Sequence, residues 1–161
     1  MSKEKEDKTN AMRVLDRHGV HYKVLTYECT EFVDAVHAAE SAGEDVERTF
    51  KTLVAKGRSE RYSVFVIPAA AETDLKKAAK AVGEKSVELV PVKDINKVTG
   101  YVRGGCSPLG MKRVCRTIIH ESALSFDTVY ISGGRLGCSI ELDPGVLPDI
   151  IDAGFDDIIL H

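Results

Sequence analysis

Two runs of β-branched and aromatic residues, residues 49–56 and 62–67, are separated by a short segment that begins with Gly57. Such residues favour the pleated geometry of a strand, and a short connection containing glycine is typical of antiparallel neighbours. Pro68 follows the second run and ends it, because proline has no N–H to donate to a strand ladder. The sequence therefore predicts an antiparallel hairpin.

Helices are predicted where apolar residues recur at helical spacing between a capping residue and a glycine. They are expected from Asn10, as the N-cap, to Gly19; over residues 31–42, with Phe32, Val36 and Ala39 on one face and Gly43 at the end; from Thr73 or Asp74 to Gly83; over residues 92–98; and from Pro144 to about residue 151. Further strands are predicted over residues 22–27, 86–90, 114–120, 128–132 and 138–142, with a last extended piece over residues 158–160.

Short strands that alternate irregularly with helices do not form a regular βαβ repeat. We therefore predict an α+β fold with a largely antiparallel, barrel-like sheet surrounded by helices. A chain of 161 residues has the length of one domain. Residues 1–9 are expected to be a frayed polar tail, and residues 10–161 the folded domain.

The start of the chain is charged and is followed by no apolar run, so we expect neither a signal peptide nor a membrane anchor. The four cysteines include no C-x-x-C pair, which indicates free thiols in a reducing compartment. These features predict a cytoplasmic protein.

A glycine-rich segment, residues 101–116, contains the adjacent Gly104 and Gly105 and then a cluster of cations. A Gly-Gly pair lets backbone N–H groups approach a ligand without an intervening Cβ, so it can bind a phosphate oxygen or a developing oxyanion. The alternative is a tight turn followed by a solvated basic edge. The cations of the segment are Arg103, Lys112, Arg113 and Arg116.

The net charge of −3 argues against a protein that coats nucleic acid by charge alone, although it permits a local basic site. No histidine lies at metal-ligand spacing from another histidine or a cysteine, and the chain has no phosphate-binding P-loop motif. We therefore expect no metal and no cofactor.

Three residues have two interpretations each. Lys51 lies within a strand-like run, either on the solvent face or pointing into a cavity, where its ammonium would bind phosphate or carbonyl oxygen. Ser132 either starts a turn or presents its hydroxyl at the rim of a site. Cys106 could be a nucleophile beside Arg103, but no histidine can be assigned as its base.

The order of these motifs along the chain resembles the YbaK/EbsC family of freestanding aminoacyl-tRNA deacylases, and is most similar to its Cys-tRNA(Pro) deacylase branch. The resemblance extends from about residue 10 to residue 159. Its elements are Phe50-Lys51-Thr52-Leu53, Asp74-Leu75-Lys76-Lys77, Thr99-Gly100-Tyr101 leading into Gly104-Gly105 and Ser107-Pro108-Leu109-Gly110, Thr117-Ile118-Ile119, Tyr130-Ile131-Ser132-Gly133-Gly134 and Ile140-Glu141-Leu142.

The resemblance implies removal of a wrongly attached amino acid from a transfer RNA, without metal or cofactor. It implies that Lys51 is the central functional residue, and that Tyr27, Thr52, Gly104 and Ser132 line the pocket. Close relatives carry an aspartate where this chain has Ser139, so a carboxylate near the substrate amine is lost. We further expect Gly104 and Gly105 to face the ester carbonyl, and the four cations of the glycine-rich segment to contact acceptor-stem phosphates.

The resemblance leaves three functions open. The first is clearance of Cys-tRNA(Pro), and also of Cys-tRNA(Cys), in which the thiol of the attached cysteine attacks its own ester carbon. The second is a deacylase for another small amino acid such as alanine. The third is an adaptor without activity that binds tRNA or a synthetase, with prolyl-tRNA synthetase as the expected protein partner.

Overall fold

The predicted hairpin lies inside the larger of two β-sheets. The structure is a computed structural model that describes residues 8–29, 31 and 33–161. Within it, Phe50 lies opposite Pro68 and Lys56 lies opposite Tyr62, in the antiparallel register expected for a hairpin. This prediction is confirmed, because strand propensity and turn chemistry both act over a short range.

The elements follow one another in an irregular α+β order. In chain order they are α1 Asn10–Arg17, β1 Lys23–Thr26, α2 Ala35–Ala42, β2 Phe50–Gly57, β3 Tyr62–Pro68, α3 Leu75–Ala81, β4 Val87–Leu89, α4 Ile95–Thr99, β5 Arg116–His120, β6 Val129–Ser132, β7 Cys138–Leu142 and β8 Ala153–Asp156. Short 3₁₀ helices cover Val46–Arg48, Val92–Asp94, Glu121–Ser125 and Pro144–Asp149. None of the helices in the described residues is long and apolar enough to cross a membrane.

The strands form a sheet in the order β4-β2-β3-β5-β8 and a smaller sheet in the order β1-β7-β6. The pairs β3–β5 and β5–β8 are parallel, and the other pairs are antiparallel. A single bridge between Thr49 and Tyr130 links the two sheets. The α+β class and the largely antiparallel pairing are confirmed. The barrel is not, because the described strands form no closed sheet.

The boundaries of several elements differ from the prediction. Thr9, rather than Asn10, caps α1, since its side chain accepts a hydrogen bond from Met12 N. Helix α2 begins only after Asp34, whose side chain caps it, and Gly43 ends it in the left-handed conformation as predicted. Of the predicted features, residues 1–7 of the tail and Phe32 on the helix face lie outside the described residues.

The C-terminal part of the chain was predicted least well. The helix expected from Pro144 is a short 3₁₀ helix, in which Asp143 caps the first turn. The last strand is β8, which precedes the predicted piece over residues 158–160; in that piece only Ile159 forms a bridge, with Thr73. Strand β8 contains a glycine and an aspartate, two residue types that are depleted in strands. Local propensity therefore did not reveal it.

Both faces of β3 are buried, which explains its continuous apolar sequence. Val64 and Val66 pack with α1 and the smaller sheet, whereas Phe65 and Ile67 pack with α3 on the other side. Side chains alternate between the faces of a strand, and only a strand covered on both faces has apolar residues at every position. The resulting rigid strand supports the neighbouring β2, which carries Lys51 and Thr52.

Candidate active site

A cavity of about 450 Å³ opens where the start of β2 meets the ends of the smaller sheet. Its volume lies within the range of pockets that bind small ligands. The cavity brings together seven of the eleven residues proposed from the sequence, which are Tyr27, Lys51, Thr52, Arg103, Gly104, Ser132 and Ser139. Their placement in one cavity is a structural finding, and their chemical roles stay predictions.

Lys51 is a cation near the start of β2. It is half-buried and lines the cavity, so the interpretation of a purely solvent-facing lysine does not hold. Burial lowers the pKa of Lys51, and the carboxylates of Glu72 and Asp34 offset this in part. The ammonium therefore loses its proton at a lower pH than an exposed lysine, and an anionic or carbonyl oxygen in the cavity would stabilise its charged form.

The two adjacent glycines of the glycine-rich segment, Gly104 and Gly105, differ in whether their backbone amides are available to a ligand. Gly104 lines the cavity with a φ of 85°, a conformation that side chains other than glycine rarely adopt. In residues 8–29, 31 and 33–161, its N–H has no hydrogen-bond partner. The N–H of Gly105 instead donates to Val102 O at 2.9 Å, and a Cβ on Gly105 would lie 2.8 Å from Arg135 Cα.

Gly105 is therefore not placed to face a substrate carbonyl, contrary to the expectation for the glycine pair. Its amide already closes a turn, and its missing Cβ allows the close approach of the Arg135 backbone. Only Gly104 keeps the role of a candidate oxyanion donor.

The smaller sheet contributes two hydroxyls on facing strands. Ser132 ends β6 and lies directly opposite Ser139 of β7. The Ser132 hydroxyl accepts a hydrogen bond from Gly134 N at 3.2 Å, so this serine both shapes the turn and lines the cavity. The two interpretations of Ser132 are thus compatible.

Two further predicted residues close the cavity from either side. The Tyr27 backbone N–H donates to Gly137 O at 2.9 Å, and burial raises the pKa of its phenol. The Thr52 hydroxyl is buried and has no partner among the described residues. An unpartnered buried hydroxyl costs about 1–3 kcal/mol, which a bound polar ligand would recover.

Glu44 is a cavity residue that the sequence analysis missed. Only 8% of it is exposed, although it follows the glycine that ends α2. Thr49 donates its hydroxyl to Oε2 at 3.2 Å, whereas Oε1 has no partner among the described residues. Burial raises the pKa of Glu44, and the nearby hydroxyls of Ser139 and Thr49 offset this in part. No sequence pattern distinguishes such a glutamate from a surface acid after a helix.

Cys106 also lines the cavity, but its environment disfavours a nucleophile. It is buried, and burial raises the pKa of its thiol to about 11. The thiolate is the reactive form, and a thiol with this pKa stays protonated at neutral pH.

The four cations predicted to bind tRNA have different surroundings in the structure. Arg103 lines the cavity, whereas Lys112, Arg113 and Arg116 do not. The Arg113 guanidinium lies 5.3 Å from the centre of the Tyr62 ring. Arg116 pairs with Asp152 at 2.7 Å, so a phosphate would have to compete with that carboxylate. Arg103 is therefore the cation best placed beside a ligand in the cavity.

A separate cluster joins residues that are distant in sequence. His120 Nε2 and His161 Nε2 lie 3.3 and 3.0 Å from Asp157 Oδ1. Linear spacing gave no sign of this group, which has the composition of a metal site. Lys77 Nζ donates to Asp157 Oδ2 at 2.9 Å, so the carboxylate already has a cationic partner. None of the four residues lines the cavity.

Comparison with known proteins agrees with the resemblance found in the sequence. The profile of the aminoacyl-tRNA editing domain matches residues 30–150. A protein of Enterococcus faecalis (strain ATCC 700802 / V583), named as a candidate Cys-tRNA(Pro)/Cys-tRNA(Cys) deacylase, EbsC, is 42% identical over 160 residues, 98% of each chain. The uncharacterised protein YwhH of Bacillus subtilis (strain 168) is 30% identical over 112 residues, 70% of this chain and 71% of YwhH.

Solved structures share the fold at lower identity. A candidate trans-editing enzyme for prolyl tRNA synthetase superimposes with a TM-score of 0.82 at 24% identity, covering 94% of this chain and 96% of the other. The hypothetical protein APE2540 superimposes with a TM-score of 0.84 at 21% identity, covering 94% and 99%. With its profile match and its full-length relative, this chain belongs to the aminoacyl-tRNA editing domain family.

Proposed function

We propose that this protein is a trans-editing deacylase that clears cysteine from mischarged tRNA(Pro), with Cys-tRNA(Cys) as a second substrate. The observation that carries the proposal is that Lys51 lines one cavity with Gly104, whose amide has no hydrogen-bond partner among the described residues. Membership of the editing family supports the reaction class. The name of the Enterococcus relative supports cysteine as the amino acid.

Such an activity is needed because a synthetase cannot fully distinguish amino acids of similar size. Cysteine and proline are similar in volume, and an apolar pocket separates similar groups by only about 1–3 kcal/mol. A second site that destroys the wrong product supplies the missing selectivity. Because translation takes place in the cytoplasm, the proposed substrate also places the protein there.

The proposed mechanism needs no nucleophile from the protein, because an aminoacyl ester is already activated. The Gly104 N–H would donate to the ester carbonyl oxygen as negative charge develops on it. The Lys51 ammonium would hold the ribose or the phosphate of the terminal nucleotide, and so fix the ester in the cavity. Thr52 in the larger sheet and Ser132 in the smaller sheet also line the cavity. Their hydroxyls would bind the terminal nucleotide.

The attacking group in this proposal is the thiol of the attached cysteine. Its sulfur bonds to the carbonyl carbon, the bond from that carbon to the ribose oxygen breaks, and the thiol proton passes to the departing ribose oxygen. The products are a cyclic thiolactone of cysteine and free tRNA. The apolar part of the cavity wall, which includes Val33, Leu53, Val54 and Val92, would limit competing attack by water.

Recognition of the tRNA would be shared with other surfaces. Arg103 at the cavity would contact the backbone near the acceptor end, and Lys112 and Arg113 would add phosphate contacts further away. Contacts of this kind position a tRNA without reading its sequence. We therefore propose that prolyl-tRNA synthetase, as a partner, selects the tRNA.

A deacylation assay with tRNA(Pro) charged with cysteine, alanine or proline tests the proposal. We expect the protein to clear cysteine rapidly and to leave proline, the correct product, intact. Preferential clearance of alanine would instead assign the second function that the sequence leaves open. Binding of all three charged tRNAs without clearance would show a non-catalytic adaptor.

A further inference from the structure

Two acidic residues, Asp34 and Glu44, line the cavity in the part of the chain that the structure describes, and they differ in availability. Asp34 is exposed and is engaged at the start of α2, where it accepts from His37 N at 2.9 Å and lies 2.6 Å from His37 Nδ1. Glu44 is buried, and its Oε1 has no hydrogen-bond partner within residues 8–29, 31 and 33–161. Glu44 is thus the carboxylate in the cavity to which a ligand could donate a hydrogen bond.

A buried carboxylate with an orphan oxygen is unfavourable unless a donor reaches it. Desolvation of a charged group and loss of a hydrogen bond both oppose burial. The two neighbouring hydroxyls, of Thr49 and Ser139, are neutral and cannot balance a full charge. Rotation about the terminal torsion of a glutamate is soft, so either oxygen can turn towards the cavity.

The ligand group that fits such a carboxylate is a cation with N–H donors. We propose that Glu44 binds the α-ammonium of the aminoacyl group, an inference that rests on the proposed function of this cavity. Every aminoacyl ester carries this ammonium beside the reacting carbonyl. The other charged residues of the wall do not serve, because Lys51 and Arg103 would repel it and Asp34 is already engaged.

Glu44 also lies close to Ser139. The resemblance implies an aspartate at that position in relatives, where this chain has a serine. In the structure burial raises the pKa of Glu44, and the nearby Ser139 hydroxyl offsets this only in part. Glu44 therefore brings a carboxyl group from the turn after α2 close to position 139, and an ammonium bound there would favour its ionised form.

The test compares ligands that differ only in the amine. An adenosine in which cysteine is joined to the 3′ position by an amide cannot be cleaved, and can be made with a free or an N-acetylated α-amine. For the unaltered protein we expect binding to the free-amine compound to be tighter by about 30-fold or more, as for other buried charged contacts. In Glu44→Gln, which keeps shape but removes the charge, this preference should vanish.

Glu40→Gln is the matched control, because Glu40 lies on the exposed side of α2. It should keep the full preference for the free amine. Adding Ser139→Asp to Glu44→Gln should restore part of the preference, since it returns a carboxylate to the neighbouring position. The proposal would be overturned if Glu44→Gln weakened the binding of both compounds equally, or if it kept the preference for the free amine.

Two outcomes separate this inference from the proposed function. Amine-dependent binding without clearance of Cys-tRNA(Pro) would refute the function and leave the role of Glu44 standing. Clearance of Cys-tRNA(Pro) by Glu44→Gln with an unchanged KM would refute the role of Glu44 alone. If Glu44→Gln does not fold, binding of the two compounds to the unaltered protein still tests the inference. Equal affinity for the free and acetylated compounds would refute it.

Discussion

Replacing Lys51 with alanine is expected to slow clearance of Cys-tRNA(Pro) by about 10²- to 10³-fold, the usual effect of removing one preorganised electrostatic group from an active site. Lys51 is the half-buried cation at the start of β2, and it lines the same cavity as Gly104. Without it, the terminal nucleotide would lose its positioning contact. Single-turnover deacylation with the protein in excess measures the effect on chemistry directly.

The matched control is Lys56→Ala in the same strand. Lys56 is exposed and lies at the other end of β2, where it pairs with Glu60 at 3.8 Å. Its removal should change the rate by less than about twofold, because Lys56 does not line the cavity, and should leave stability nearly unchanged, because exposed ion pairs contribute little to it. Thermal unfolding of both variants shows whether the fold is kept. A folded Lys51→Ala protein that clears Cys-tRNA(Pro) at the normal rate would remove Lys51 from the mechanism.

Methylation of the substrate thiol is expected to have an even larger effect. S-methylcysteinyl-tRNA(Pro) cannot form the thiolactone, and a well-oriented internal nucleophile is worth effective molarities of about 10⁵–10⁸ M. We therefore expect its clearance to fall by about 10³-fold or more, to the level of spontaneous ester hydrolysis. The rate of release of the amino acid from each tRNA, with rapid quenching, is the measurement.

A competition experiment controls for binding of the altered substrate. S-methylcysteinyl-tRNA(Pro) should still inhibit clearance of Cys-tRNA(Pro), since the added methyl group is small relative to a cavity of about 450 Å³. Equal clearance rates for the two substrates would show that water, rather than the thiol, attacks the ester. The protein would then be a simple hydrolase with the same cavity.

The parts of the fold that follow from local rules were predictable. The hairpin of β2 and β3 was one, because strand propensity and a glycine turn act over a few residues. Gly43 as the end of α2 was another, since only a residue that tolerates the left-handed conformation suits that position. The parallel pairing of β5 with β3 and β8 depends on contacts between distant segments, and the sequence carried no local sign of it.

The candidate site likewise contains residues that the sequence could indicate and residues that only the fold reveals. Lys51 could be proposed because a lysine is unusual within a strand-like, partly apolar run, and Ser132 because the family resemblance implies that it lines the pocket. Whether Lys51 faced solvent or a cavity required the fold, as did the use of the Gly105 amide within its own turn. Glu44 could not be found, because its burial arises from packing of the segment after α2 against the smaller sheet. Sequence patterns report such packing only when it is periodic.

The central claim is that the Lys51 ammonium and the Gly104 amide act on one ester. A crystal structure with an uncleavable analogue, the 5′-monophosphate of adenosine with cysteine amide-linked at the 3′ position, tests it most directly. We expect the carbonyl oxygen to lie about 3 Å from Gly104 N, with Lys51 Nζ in contact with the phosphate or ribose. An analogue bound with its carbonyl away from Gly104, and with Lys51 touching no part of it, would contradict the account.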